Sequence, residues 1–150
     1  MVTAKQIMAT EPLTVMPETL VLDFAKKIEE NHQCGAAVVD SEGNLVGVVT
    51  ESDLIDQHKR LHLPTVVTLF DSVLTFGGHK VDDQIKKMVG ATVADIMSSD
   101  LITVEENTPL EEVATIMAEK KKHFIPVMKE GKLAGVIDRA HVIQGIVKEG

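Results

Sequence analysis

The chain states one pattern twice, and that duplication constrains its fold more than any single motif does. Ile7-Met8 recurs as Ile96-Met97, Thr14-Val15 as Thr103-Val104, Thr19 as Thr108 and Ala25 as Ala114, all at a spacing of 89 residues. After a hairpin shortened by one residue, Leu45 and Gly47 recur as Leu133 and Gly135 at a spacing of 88. A register held this long marks two copies of one supersecondary unit, each needing its neighbour to bury a face.

Each copy reads in the same order. A short strand ends at Val15 or Val104, and a helix follows with Phe24, Ala25 and Ile28, or Val113, Ala114 and Met117, on one face. Thr19 and Thr108 are placed to cap those helices, and Thr108-Pro109-Leu110-Glu111 predicts a capping box with proline at the first helical position. Two strands come next, Ala36–Val39 with Leu45–Val49 and Phe124–Met128 with Leu133–Ile137, joined through Gly43 and Gly131. A last helix opens near Ser52 or Ala140. The unit is β-α-β-β-α, which divides the chain into a first repeat at 1–56, an insertion at 57–92 and a second repeat at 93–150. In the insertion, Pro64 opens one amphipathic helix and Asp82 another, whose apolar faces are expected either on the core of their own chain or in a subunit interface.

The strand-to-helix junctions carry the candidate chemistry. In Gly47-Val48-Val49-Thr50-Glu51-Ser52-Asp53, a hydroxyl and a carboxylate stand where a buried strand meets a helix, a place that attracts phosphate to backbone N–H groups and a sugar's hydroxyls to the acid. Capping explains the same residues as local structure, with Thr50 as N-cap and Asp53 in the first turn, and Asp138 capping the second junction.

Composition excludes several function classes. A net charge of −8 opposes bulk attraction to nucleic acid, and with no Trp, no Tyr and four Phe there is no platform for stacking bases. Cys34 is the single cysteine, so an internal disulfide is impossible and a reducing compartment is expected. No apolar run reaches membrane-spanning length and the N-terminus leads into no signal-like segment, which makes a cytoplasmic protein the expectation. No nucleophile elbow, Walker lysine or cluster of ligands supports an enzyme. His58 and His62 lie one helical turn apart, but two histidines without a third ligand read as solvated helix residues rather than a metal site.

With the repeats laid out, the chain resembles a tandem pair of CBS domains, the cystathionine β-synthase type module, over nearly its whole length. The opening Ile-Met, the strand ending Thr-Val, Phe124-Ile125-Pro126-Val127 and the Gly-x-x-Thr-x-x-Asp ending at Asp53 carry the resemblance. It implies an α+β fold of two repeats about a pseudo-twofold axis, a stand-alone Bateman module that dimerises and acts as a sensor. The implied ligand is an adenosine compound (AMP, ADP, ATP or S-adenosylmethionine), no cofactor is obligatory, and output passes to an unidentified effector protein. On the family's pattern Thr50 would contact phosphate and Asp53 the ribose, facing Asp100 and Leu101 on one side and Lys122, His123, Phe124 and Pro126 on the other. A second cleft would place Asp138 and His141 against Thr10, Glu11, Pro12, Gln33, Cys34 and Gly35. There an acid replaces the hydroxyl and a histidine replaces the aspartate, so that cleft is expected to be empty or to take a less charged ligand. The rival reading is an interaction module whose clefts stay vacant.

Overall fold

In the computed structural model, which describes residues 1–57 and 90–150, the two repeats are built alike and exchange their leading segments. The helices expected in the insertion, together with His58 and His62, lie outside the described residues. The first repeat comprises α1 (Ala4–Ile7), β1 (Thr14–Val15), α2 (Val21–Asn31), β2 (Gly35–Val39), β3 (Leu45–Thr50) and α3, helical over 51–57. The second comprises α4 (Val93–Ile96), β4 (Val104–Glu105), α5 (Leu110–Lys120), β5 (Phe124–Lys129), β6 (Lys132–Asp138) and α6 (Arg139–Glu149). The architecture is α+β, with two three-stranded sheets ordered β1-β2-β3 and β4-β5-β6, the first pair in each parallel and the second antiparallel.

Alternation and turn chemistry explain the sheets. The buried runs Gly35–Val38 and Phe124–Val127 are covered on both faces, which is why neither strand alternates with polar residues. Between β5 and β6, Glu130 and Gly131 both take positive φ, 51° and 79°, as a two-residue hairpin of the type that matches strand twist requires. The longer β2–β3 turn is organised instead by Asp40, whose Oδ1 accepts the N–H groups of Glu42 and Asn44, both at 2.9 Å.

The exchange of leaders is the organising contact. Ala4 N–H donates to Thr108 O, Lys5 N–H to Glu106 O, and Ala9 pairs with Val136, so the first repeat's opening segment is attached to the second sheet. Reciprocally, Val93 N–H donates to Thr19 O, Ala94 N–H to Pro17 O, and Ser98 pairs with Val48. The cores follow this crossing. Ala4 and Ile7 are buried with Val104, Leu110, Val113, Ile125 and Ile137, while Val93 is buried with Val15, Phe24, Ile28 and Val49.

The repeated glycines and the repeated Ile-Met are partners in that crossing. A Cβ on Gly47 would lie 2.8 Å from Ser98 O and 3.0 Å from Met97 Sδ, and one on Gly135 would lie 2.5 Å from Ala9 O and 2.8 Å from Met8 Sδ. Each leader therefore lies on the other repeat's third strand at the one residue that leaves room for its backbone.

The expected threonine caps are corrected by the same exchange. α2 and α5 have Leu20 and Pro109 at their N-caps with no side-chain cap, and Thr19 and Thr108 stand one residue further out. Their hydroxyls accept the N–H groups of Met16 and Glu105, closing the preceding turns. The first helical N–H groups are satisfied from the exchanged leaders, Val21 by Ala91 O and Leu110 by Val2 O, both at 2.9 Å. With its first donor met by backbone, neither helix needs a capping hydroxyl.

Candidate functional site

A cavity of about 610 Å³ opens where the two strand-to-helix junctions face each other. Its residues come in pseudo-equivalent pairs from the two repeats: Thr50 and Asp138, Glu51 and Arg139, Ser52 and Ala140, Cys34 and His123. The wall beneath them belongs to a small apolar cluster of Val48, Phe124 and Val136, against which Ala9, Cys34 and Leu101 pack. Gly35 keeps this region narrow, since a Cβ there would meet Val49 O at 2.8 Å and the Phe124 ring at 3.3 Å.

The structure brings together Thr50, Asp53, Lys122, His123 and Phe124 from the set assigned to the first cleft, and Cys34 and Asp138 from the set assigned to the second. Groups divided between two clefts by the family's pattern thus border one space. The others lie elsewhere: Pro126 is fully buried within β5, Leu101 supports the central cluster, and Asp100 and Thr10 are exposed. Pro12, Gln33 and His141 are half-buried away from the cavity lining, and Gly35 is buried at the start of β2. Arg139, Glu51 and Ser98 border the cavity without having been singled out in the sequence, and Lys121 joins them from the basic run that ends at His123. Arg139 and Ser98 had signals, since one follows the repeated junction by one residue and the other follows the repeated Ile-Met.

Capping geometry accounts for the resting positions of both acids. Asp53 Oδ2 accepts the Thr50 N–H at 2.9 Å and faces the Thr50 hydroxyl at 3.3 Å. Asp95 makes the same pair of bonds to Thr92, at 2.8 and 3.1 Å. Asp138 Oδ1 accepts the His141 N–H at 3.0 Å, while His141 Nδ1 accepts the Asp138 N–H at 3.1 Å. One ring nitrogen cannot accept that N–H and also donate to Asp138 Oδ1, 3.3 Å away, so the two residues form a reciprocal cap.

Cys34 crosses from the first repeat to place its thiol 3.7 Å from Asp138 Oδ2. Burial, with the negative charges of Asp138 and Glu51 added, pushes the thiol from its ordinary 9.0 up to about 11. The thiolate is the reactive form, so alkylation by iodoacetamide near neutral pH is expected to be slower than for a free thiol by about a hundredfold, before access is considered. A rate equal to that of a small thiol would contradict the placement of Cys34. Because the folded thiol holds its proton more tightly than the unfolded one, its contribution to stability is complete below pH 9.0 and is lost as pH rises towards about 11.

Among the described residues no group of three His, Cys, Asp or Glu is arranged to hold a metal ion, and no helix is long and apolar enough to cross a membrane.

The chain is similar to CBS domain-containing protein CBSX1, chloroplastic, of Arabidopsis thaliana, at 31% identity over 140 residues, spanning 89% of this chain and 58% of that relative's length. Its fold matches the crystal structure of CBSX2 in complex with AMP with a TM-score of 0.73 at 26% identity, covering 98% of this chain and 97% of the other. It also matches an uncharacterised conserved protein of Pyrococcus horikoshii with a TM-score of 0.74 at 27% identity, covering 96% and 91%. A model of the CBS domain matches residues 4–60 and again 93–148, nearly the spans over which the two β-α-β-β-α units are built, and the chain therefore belongs to the CBS domain family and carries the domain twice.

Proposed function

We propose that this protein is a regulatory module that binds an adenosine compound in the cavity between its two CBS domains and passes on the ligand's presence as a change of shape or association state. The observation that carries the reading is the pairing of Thr50 and Asp53 on one repeat with Lys121, Lys122 and His123 on the other, around a space whose volume lies within the range of small-molecule sites. A hydroxyl and a cluster of cations suit a phosphate. Asp53 Oδ1 accepts no bond from the described residues and suits the paired hydroxyls of a ribose. The related CBSX2 has been crystallised with AMP, which supports the same ligand class here.

The test is ligand-linked stability. At a hundredfold excess over its dissociation constant AMP is expected to stabilise the fold by about 2.7 kcal/mol, read as a rise in melting temperature. Asp53→Asn keeps a cap-competent side chain but loses charge-assisted bonds, so affinity should fall about tenfold, or about 1.4 kcal/mol, with little change in the ligand-free melting temperature. No shift with AMP, ADP, ATP or S-adenosylmethionine would favour the second reading, an interaction module with vacant clefts. The observation on its side is that Asp95, which does not border the cavity, caps Thr92 as Asp53 caps Thr50.

We further propose that the module associates as a homodimer and signals to an effector protein. Ile55 and Ile143, pseudo-equivalent at a spacing of 88, are 67% and 60% exposed, with Val147 at 72% beside the latter on α6. Such apolar residues on paired helices suit an isologous contact. Sedimentation at micromolar concentration should give twice the chain mass of 16.3 kDa, and a monomer would overturn the dimer.

A further inference from the structure

The proposed reading leaves the number of phosphates undefined, and the cavity's charge pattern speaks to it. Lys121, Lys122 and Arg139 supply three cations along the wall, against three carboxylates, Glu51, Asp53 and Asp138. With Asp53 engaged by ribose, the remainder is three cations against two acids. That surplus suits a single phosphate and offers little to an extended polyphosphate.

Asp138 is the residue that breaks the symmetry. It stands where the first repeat has Thr50, so the position offering a hydroxyl on one side offers a carboxylate on the other, within one cavity rather than in a separate cleft. Among the described residues no lysine or arginine forms an ion pair with it. Among the described residues Oδ1 accepts the His141 N–H and Oδ2 faces only the weak thiol donor of Cys34. Burial first, and then that same negative charge together with Glu51, raises the proton affinity of the neighbouring Cys34.

We propose that Asp138 is a specificity-determining residue that limits the cavity to one phosphate, so that it selects a nucleoside monophosphate against the corresponding di- and triphosphates. The inference rests on the adenosine reading for the nucleoside and on Asp138 alone for the charge limit. A second or third phosphate extending across the pseudo-axis from Thr50 approaches the Asp138 carboxylate, where repulsion in a partly desolvated space is stronger than in water.

The experiment is calorimetric titration of the parent, Asp138→Thr and Asp138→Asn with AMP, ATP and inorganic tripolyphosphate, in the absence of divalent cations. Threonine restores the first repeat's residue and asparagine removes only the charge, and both remain N-cap residues, so the start of α6 is kept. If one variant fails to fold, the other decides. The parent should bind AMP at least tenfold more tightly than ATP. Both variants should tighten ATP and tripolyphosphate at least tenfold, and by at least threefold more than they tighten AMP. A parent that prefers ATP, or a preference unchanged in the folded variants, overturns the proposal even with AMP bound. If the parent binds no adenosine compound, the adenosine reading falls. The charge limit is then judged by tripolyphosphate, and it is sustained by a rise in the variants and overturned by none.

Discussion

Gly135→Val is expected to destabilise the protein by about 3 kcal/mol or more, the range reached when bulk is forced into a packed site and a backbone contact is displaced. The new Cβ alone would lie 2.5 Å from Ala9 O and 2.8 Å from Met8 Sδ. The sulfur lies on a side chain that can turn away. The carbonyl cannot, because Ala9 and Val136 exchange backbone hydrogen bonds, 2.9 Å from Ala9 N–H and 3.2 Å from Val136 N–H. The leader must lift, taking those two bonds with it, and α1 loosens from the second core. Denaturant unfolding measures the loss, and Gly131→Ala is the comparison. That glycine has φ 79° in open space, so alanine should cost only backbone strain of about 1–2 kcal/mol. If Gly135→Val were no worse than Gly131→Ala, the leader would not be pinned at this crossing.

The glycine spacing shows which part of the fold could be read in advance. Gly47 and Gly135 stood out as repeated residues at strand positions, and the helices, hairpins and cores of both repeats follow from periodicity that the duplication made hard to mistake. What periodicity does not contain is which repeat a leader joins. Ile7 and Ile96 are equivalent, and a leader folded onto its own repeat would bury the same residue types as one given to its neighbour. The choice is made by chain connection and tertiary packing, and so is the fate of Thr19 and Thr108, whose local sequence fits a cap. The helix donors they would have satisfied are met by Ala91 O and Val2 O from the other leader.

The site was legible to the extent that it repeats a motif. Thr50 and Asp53 belong to a recognisable junction, Lys122 and His123 precede a recognisable strand and Phe124 opens it; all five border the cavity. Glu51 and Arg139 occupy variable positions beside the two junctions, and they border one cavity only because those junctions face each other. The division into two clefts assigned Asp138 to a separate place from Thr50. Because both residues border one cavity, the proposed function has that substitution act on whatever ligand Thr50 would hold.

Ile7→Ala tests the exchange where its energetic effect is largest. Ile7 is 6% exposed and belongs to the core formed by Val104, Leu110, Val113, Ile125, Val127 and Ile137, all from the other repeat. A Cβ placed on Gly145 of α6 would meet Ile7 Cγ2 and Leu110 Cδ1, each at 3.0 Å, so the isoleucine fills a closely lined site between α5 and α6. Truncating a buried isoleucine to alanine costs about 2–5 kcal/mol, and a site walled this tightly has little room to collapse onto the space left behind. Location separates the exchanged arrangement from its alternative. Hydrogen exchange should quicken most in β5, β6 and α6, more than a hundred residues along the chain from the substitution. The matching change in the second leader, Val93→Ala, should quicken β2 and β3 instead, because Val93 is buried with Phe24, Val38 and Val49. Faster exchange confined to the repeat that carries each substitution would mean that each leader folds onto its own half. In that case the glycine crossings at Gly47 and Gly135 would need another explanation.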